Sequence, residues 1–404
     1  MSIFREIPPT AGMRVYPKEF LGAFSAASGP ANPLEDDFKK YLKTDFAKVT
    51  GSGAGALYLI LEALKGISAK KTVIIPSYIC TLVPIAIHKA GLKVEVCDIT
   101  GKDFNYDPIE LERLCAADKD ILAVIAAHIG GIPVDLDTIG RITAKHGIFM
   151  IEDCAQSLGA QYKARPVGRS GDFSFFSLCR GKGLTTYEGG VLVVNKEEFI
   201  APVNAAIDRL VKERPFLEWF KTLELFGYWL FYRPQLFWFV FNLPRDLWLA
   251  KGDKVRAFQD YHTADFPVHG VSGARQGIAH AAFGRLGQEI AAQRNKALRL
   301  IGSIEKIDGV VVVKESPGDV ATYPLLTVIF KDPESRDRAL SVLQRARLGA
   351  SIMYLHAITD YEYLEGIVPR KRSEKGRSLA ARAMTLSTSA YLKREDLDRI
   401  IKLL

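Results

Sequence analysis

The sequence predicts a three-layer α/β protein: a large domain on a mostly parallel sheet, followed by a smaller α+β domain. Three observations carry this expectation. From about residue 50 to 195, short apolar runs alternate with stretches of helical apolar spacing, the pattern of repeated βα units. Runs such as ILAVIAA at 121–127 are apolar at every position, as strands covered on both faces are. Beyond about residue 275 one long helical stretch replaces the alternation.

Taken in order, Ala54–Lys65 reads as helix, Thr72–Pro76 as strand, Leu82–Ala90 as helix and Lys93–Cys97 as strand. Pro108–Cys115 and Leu136–His146 are further helices, and Ile121–Ala127, Ile148–Ile151, Phe173–Phe176 and Val191–Val194 further strands. In the second part a helix over Gln276–Ile304 precedes strands at Gly309–Val313 and Tyr323–Phe330. A helix at Ser335–Ala346, a strand at Ala350–Tyr354 and helices at Gly376–Ala383 and Arg394–Leu404 complete it. The expected domains are 1–260 and 261–404.

Of the 404 residues, 48% are hydrophobic and 25% charged, which supports a large core. No apolar run is long enough to span a membrane, and the N-terminal stretch has no apolar signal core, so a cytoplasmic place is expected. Cys80, Cys97, Cys115, Cys154 and Cys179 lack metal or redox spacing and read as reduced thiols; the seven histidines show no ligand spacing, so no metal site is expected. The net charge of +8 is dispersed apart from Lys251 to Arg256 and Arg370-Lys371-Arg372. It reads as a solvated basic surface, or as attraction to an anionic substrate or membrane. No motif points to nucleic acid.

One segment stands apart. All four tryptophans (Trp219, Trp229, Trp238, Trp248) fall within residues 216–248, in runs such as LFGYWLFY and LFWFVF that Pro215, Pro234 and Pro244 interrupt. Three readings stay open: a dimer interface or local core, a peripheral membrane contact with Lys212, Arg214, Lys221, Arg233 and Arg245 nearby, or an apolar wall to a lipid-like substrate.

Three local features carry chemistry. Thr50-Gly51-Ser52-Gly53-Ala54-Gly55 directly precedes the first helix of the alternating region, and small residues there let backbone N–H groups approach a phosphate. Taken alone it reads equally as a serine N-cap. IEDCAQ at 151–156 places Asp153 at the carboxyl end of a strand, where an acid can pair with a cationic ring nitrogen. FSFFSLCRGKGLTTYEGG at 173–190 sets Lys182 on a glycine-bearing loop, with Arg180 close enough in sequence to lower its pKa. By itself that is an ordinary solvated lysine; beside a cleft it is one that forms an imine. Phosphate cradle, ring-nitrogen acid and imine lysine are together the parts that pyridoxal 5'-phosphate requires.

On these residues the sequence resembles the DegT/StrS-type nucleotide-sugar aminotransferases, which have the aspartate-aminotransferase fold. The likeness runs from SGAGAL through VIIPSYICTLVPIAIHKAG, HIGGIPVDLDTIGRITAKHGIFMIEDCAQSLGA and FSFFSLCRGKGLTTYEGGVLVV to YLHAITDY and LSTSAYLKREDLDRI. It implies that Lys182 and Asp153 are catalytic, the lysine holding the cofactor and shuttling protons, the aspartate pairing with the ring nitrogen. It implies a cofactor site of Ser52, Gly53, Ala54, Gly55 and Ser177 at the phosphate, Gln156 near the ring 3-hydroxyl, and Cys80 against the ring. Glu188 and His356 are further candidates toward substrate. A homodimer, glutamate as amino donor, a nucleotide-linked keto sugar as acceptor and a role in polysaccharide biosynthesis follow from the same likeness.

The chain departs from the family pattern at three places. Ala54 stands where a hydroxyl residue is common, and Cys80 where a ring usually stacks. Gly270-Val-Ser-Gly-Ala-Arg275 replaces GYNYR, removing the asparagine that reaches the neighbouring subunit's phosphate, with Ser272 or Arg275 as stand-ins. Two rival readings are a sugar dehydratase, whose relatives carry histidine where Lys182 stands, and a membrane-associated scaffold or regulatory binder.

Overall fold

The seven strands of the main sheet are β1 (Phe46–Thr50), β2 (Thr72–Pro76), β3 (Lys93–Cys97), β4 (Ile121–Ala127), β5 (Phe149–Asp153), β6 (Phe173–Ser177) and β7 (Gly190–Val194). In this computed structural model, which describes residues 5–25, 32–371 and 373–404, they lie in the order β1-β7-β6-β5-β4-β2-β3. Arg372 and the first four residues, part of the sequence readings above, lie outside the described residues. Strands β2 to β6 are mutually parallel, and β7 runs antiparallel between β1 and β6. All seven residues of β4 are buried, so both faces of the sheet are covered. The register places Ala127 beside Asp153 and Asp153 beside Phe175, which aligns three carboxyl ends along one edge. Helix α1 (Gly53–Ile67) starts at that edge, capped by Ser52.

A separate antiparallel sheet, β8 (Val310–Val312), β9 (Leu325–Phe330) and β10 (Ala383–Ser387), occupies the later part of the chain. We hold the division at 260/261 as a proposal that this second sheet supports. The N-terminal arm belongs with it in space: Arg5 pairs with Asp396 at 2.7 Å, the Ser387 hydroxyl donates to the Pro8 carbonyl, and the Ala11 N–H donates to the Pro324 carbonyl.

The aromatic segment folds into α2 (Pro215–Phe231), a π-helical turn (Trp238–Asn242) and α3 (Leu243–Ala250). No described helix is long and apolar enough to cross a membrane. Leu225 and Tyr228 of α2 pack with Val15 and Ile278 in a small cluster apart from the main core, so one side of α2 is local core.

Three expectations need correction. Ala350–Tyr354 is not a strand; it meets the free edge of β10 at the single bridge Ser351–Thr385 and then turns away, the Tyr354 hydroxyl bonding Gln156. The helix expected over Gln276–Ile304 is two, α4 (Gly273–Phe283) and α5 (Leu286–Ile304). The break follows Phe283, whose ring is seated against Phe38 and Tyr41. Strands β1 and β10 went unanticipated, since FAKVT carries a lysine at mid-run and AMTLS follows a helix without a turn signal. All five cysteines are free, as expected.

Candidate active site

A cleft of about 800 Å³ opens at the carboxyl edge of the sheet, and Ser52, Gly53, Ala54, Cys80, Asp153, Gln156, Ser177, Lys182 and Glu188 all line it. Two candidates do not. The Gly55 N–H is taken by the Ser52 hydroxyl at 3.0 Å, completing the N-cap of α1 beneath the wall. The His356 ring packs edge-on against Tyr361, away from the cleft.

Close backbone packing builds the cradle at the start of α1. A Cβ on Gly190 would fall 2.5 Å from the Gly53 nitrogen, and one on Gly53 would fall 3.3 Å from the Ser177 Cβ. Strand β7, the end of β6 and the first turn of α1 therefore meet nearly backbone to backbone. The positive end of a 15-residue helix faces the Ser177 hydroxyl across a gap walled by small residues. That donor set suits an anion of phosphate size.

Asp153 is 8% exposed, and its Oδ1 accepts the Ala155 N–H at 2.9 Å. Burial raises its pKa, while that hydrogen bond and the charge of Lys182 oppose the rise. An acid so placed gains from a cation brought into the cleft. Its neighbour Glu152 faces the other way and is saturated, accepting the N–H groups of Gly168, Ser170 and Gly171 and a bond from His128 Nε2. The Val134 N–H donates to His128 Nδ1, which assigns the ring proton to Nε2. Ligand atoms of His128, Glu152 and Cys154 lie within 4.8 Å of one another. The Glu152 lone pairs are occupied and burial holds the Cys154 thiol protonated, so this is a self-satisfied network rather than a metal cage.

The Gln156 amide is fixed at both ends, Oε1 accepting the Gly130 N–H and Nε2 donating to the Tyr354 hydroxyl, each at 2.9 Å. Tyr354, expected at the end of a strand, is thus part of the wall. Burial pushes the Cys80 thiol to about 11, so a neutral, ringless group sits where stacking was absent from the sequence.

Lys182 is held from two sides. Its N–H donates to the Cys179 carbonyl and its carbonyl accepts the Met13 N–H, both at 3.2 Å. A Cβ on Gly12 would come 2.7 Å from the Cα of Gly181, which itself has φ 77°, so arm and loop touch where only glycines fit. The far end of the loop rests on Arg275, a fully buried residue. It donates to the carbonyls of Thr186 (2.9 Å) and Glu188 (2.5 Å) and forms a two-pronged pair with Glu218 of α2 at 2.6 and 3.0 Å. Burial opposes charge on Glu218, but hydrogen bonds from His269 and Arg275 outweigh it and hold the carboxyl at about 2. Ser272 caps α4 and donates its N–H to Glu218. Both proposed stand-ins for the missing asparagine are therefore committed within their own chain.

Sequence reasoning missed Lys221, Glu224 and Trp248, which the aromatic segment contributes to the cleft wall. Lys221 pairs with Glu188 at 2.6 Å and with Glu224 at 2.9 Å. The signal was present in the helical spacing of Glu218, Lys221, Leu225 and Tyr228, which the aromatic content masked.

Asp260 pins the turn that carries Tyr261 and His262 to the wall. Its carboxylate accepts the Leu355 N–H (2.8 Å) and the Tyr361 O–H (2.7 Å), and burial pushes its pKa from 3.8 to about 6. Folding favours the neutral form, so this stabilisation is complete below the unfolded value and lost as pH rises through the folded one. Unfolding of Asp260→Asn should gain about 2–3 kcal/mol on that of the unaltered chain between about pH 4 and pH 7. A difference that does not change with pH would refute the assignment.

Residues 21–208 match the model of the DegT/DnrJ/EryC1/StrS aminotransferase family. The UDP-4-amino-4,6-dideoxy-N-acetyl-beta-L-altrosamine transaminase of Campylobacter jejuni is 36% identical over 170 residues, 42% of this chain and 44% of that protein. The GDP-perosamine synthase of Vibrio cholerae is 31% identical over 167 residues, 41% of this chain and 45% of that protein. The matched stretch spans less than half the length of these curated relatives. Among solved structures, Helicobacter pylori PseC, an aminotransferase involved in the biosynthesis of pseudoaminic acid, superposes with TM-score 0.77 at 15% identity over 99% of this chain and 98% of that one. S. venezuelae DesV in complex with a ketimine intermediate gives TM-score 0.74 at 20% identity over 96% and 93%. At these identities the likeness concerns the fold, which is the aspartate-aminotransferase-like architecture that the sequence implied.

Proposed function

We propose that this chain is a pyridoxal-phosphate-dependent aminotransferase that moves an amino group from glutamate to a nucleotide-linked keto sugar, in the making of surface polysaccharide or glycan precursors. The observation that carries the reading is the meeting of Lys182, Asp153 and the α1 cradle in one cleft. The names of the C. jejuni and V. cholerae relatives support the substrate class. The protein acts as a homodimer in the cytoplasm, with peripheral contact to the inner face of the membrane through residues 216–248.

Pyridoxal phosphate, when bound, supplies an exchangeable carbonyl carbon and a cationic ring that takes up electrons. Ser52, Gly53, Ala54 and Ser177 would form its phosphate site, where the helix end offers positive potential; Gly55, expected there from the sequence, is spent on the Ser52 cap. Asp153 would keep a proton on the ring nitrogen, its buried carboxylate being stabilised by that cation. Gln156, its amide already fixed, and Cys80, a ringless group, would line the place of the ring. Lys182 would be the residue that holds the cofactor, and its amine would carry the proton to and from the substrate carbon.

Mass spectrometry of products from a panel of keto sugar nucleotides with glutamate should show an amino sugar. A chain that takes up no cofactor on reconstitution would refute the reading. Asp153→Asn should keep the cofactor and slow its reaction with glutamate by at least about 10²-fold, followed by absorbance. An unslowed reaction would remove Asp153 from its role.

A further inference from the structure

Helix α2 is amphipathic in the reverse of the usual sense. Its charged residues Glu218, Lys221 and Glu224 face inward and are paired. Its outward side is Phe216, Trp219, Phe220, Leu223, Phe226 and Leu230, exposed by 36% to 81%. Their spacing keeps them on one stripe along the helix, and Leu247 and Leu249 of α3 add exposed apolar surface. A helix bathed in water presents the opposite pattern, and a continuous apolar stripe of this kind marks a surface made for another phase or partner.

We propose that this face docks on an anionic phospholipid bilayer, which deepens the peripheral contact proposed above by naming its residues and its lipid. Charge selects a bilayer over a second copy of the chain. Lys212 and Arg214 precede α2 and Lys251 and Lys254 follow α3; all four are exposed and none has an ion pair among the described residues. A twofold interface pairs each patch with itself and so concentrates like charge, whereas anionic headgroups attract it. Apart from the Trp219 indole, whose ring suits headgroup depth, the stripe offers no hydrogen-bonding side chain and loses nothing in hydrocarbon. Because the inner side of the same helix lines the cleft, docking would bring the substrate site to within about one helix diameter, roughly 10 Å, of the membrane surface.

Flotation of the full chain with pyridoxal phosphate tests this, using vesicles of phosphatidylcholine alone or with about one third phosphatidylglycerol. The chain should float with the anionic vesicles and at least about tenfold less with the neutral ones. A variant combining Phe216→Ser, Trp219→Ser, Phe220→Ser and Leu223→Ser should lose flotation at least about tenfold and keep its cofactor absorbance. Should that variant fail to fold, Lys212→Glu with Arg214→Glu should remove the preference for anionic lipid. A chain that stays at the bottom of the gradient with both vesicles overturns the proposal. So does an oligomer that the serine variant dissociates while the unaltered chain fails to float, since the stripe would then join two copies. Flotation without amino transfer would refute the reaction and leave the docking standing.

Discussion

Replacing Lys182 with alanine is expected to lower amino transfer by about 10⁴-fold, the largest effect of any single change in the cleft. No other amine on the wall is free to take its place. Lys221 is engaged by Glu188 and Glu224, Arg256 by Asp253, and the Arg180 guanidinium does not give up its proton. The phosphate cradle is untouched by the change, so the variant should still bind the cofactor, without the absorbance of a covalent link. Lys182→Arg separates charge from nucleophile: it keeps the cation and should be equally inactive. Activity in either variant within about tenfold of the unaltered chain would remove Lys182 from its assigned role.

Arg275→Met should cost about 3–5 kcal/mol of folding stability, because it takes from the buried Glu218 its two-pronged guanidinium partner and leaves it only His269 and the Ser272 N–H. The carbonyls of Thr186 and Glu188 lose the guanidinium at the same time, the latter keeping only the Thr186 hydroxyl, so the loop carrying Lys182 should loosen and activity should fall with stability. Removing both charges, Arg275→Met with Glu218→Leu, should recover a large part of the loss, since an apolar pair has no charge to desolvate. Denaturant unfolding of the three proteins measures this. A double variant no more stable than Arg275→Met would show that the pair is not the source of the stability.

What could be read from the sequence were the features that short stretches decide. Strand β4 is apolar throughout because both its faces are buried, and Asp153 announces itself by following such a strand. Lys182 stands out only together with Asp153 and the small-residue cradle, since glycines alone flank many solvated lysines, and the family match over residues 21–208 covers this same region. What escaped was decided by distant partners. The place of Arg275 is set by Glu218, 57 positions earlier, and that of Tyr354 by Gln156, 198 positions earlier. Strand β1 carries Lys48 yet forms because β7 offers a partner. The inverted polarity of α2 appears only once its charged residues are seen facing the cleft.

The arm that closes over the Lys182 loop also fixes an order of events during synthesis. Met13 and Gly12 are made early, and the loop they clasp about 170 positions later. The groups that anchor the arm itself come last: Ser387 reaches Pro8 across 379 positions, and Asp396 reaches Arg5 across 391. A nascent chain therefore presents its lysine long before it can immobilise it, and capture of the cofactor in final geometry waits on residues that never touch it. Chains shortened ahead of β10 would carry every residue of the cleft wall and still hold the lysine loosely, the slow closure typical of folds whose contacts span the whole sequence.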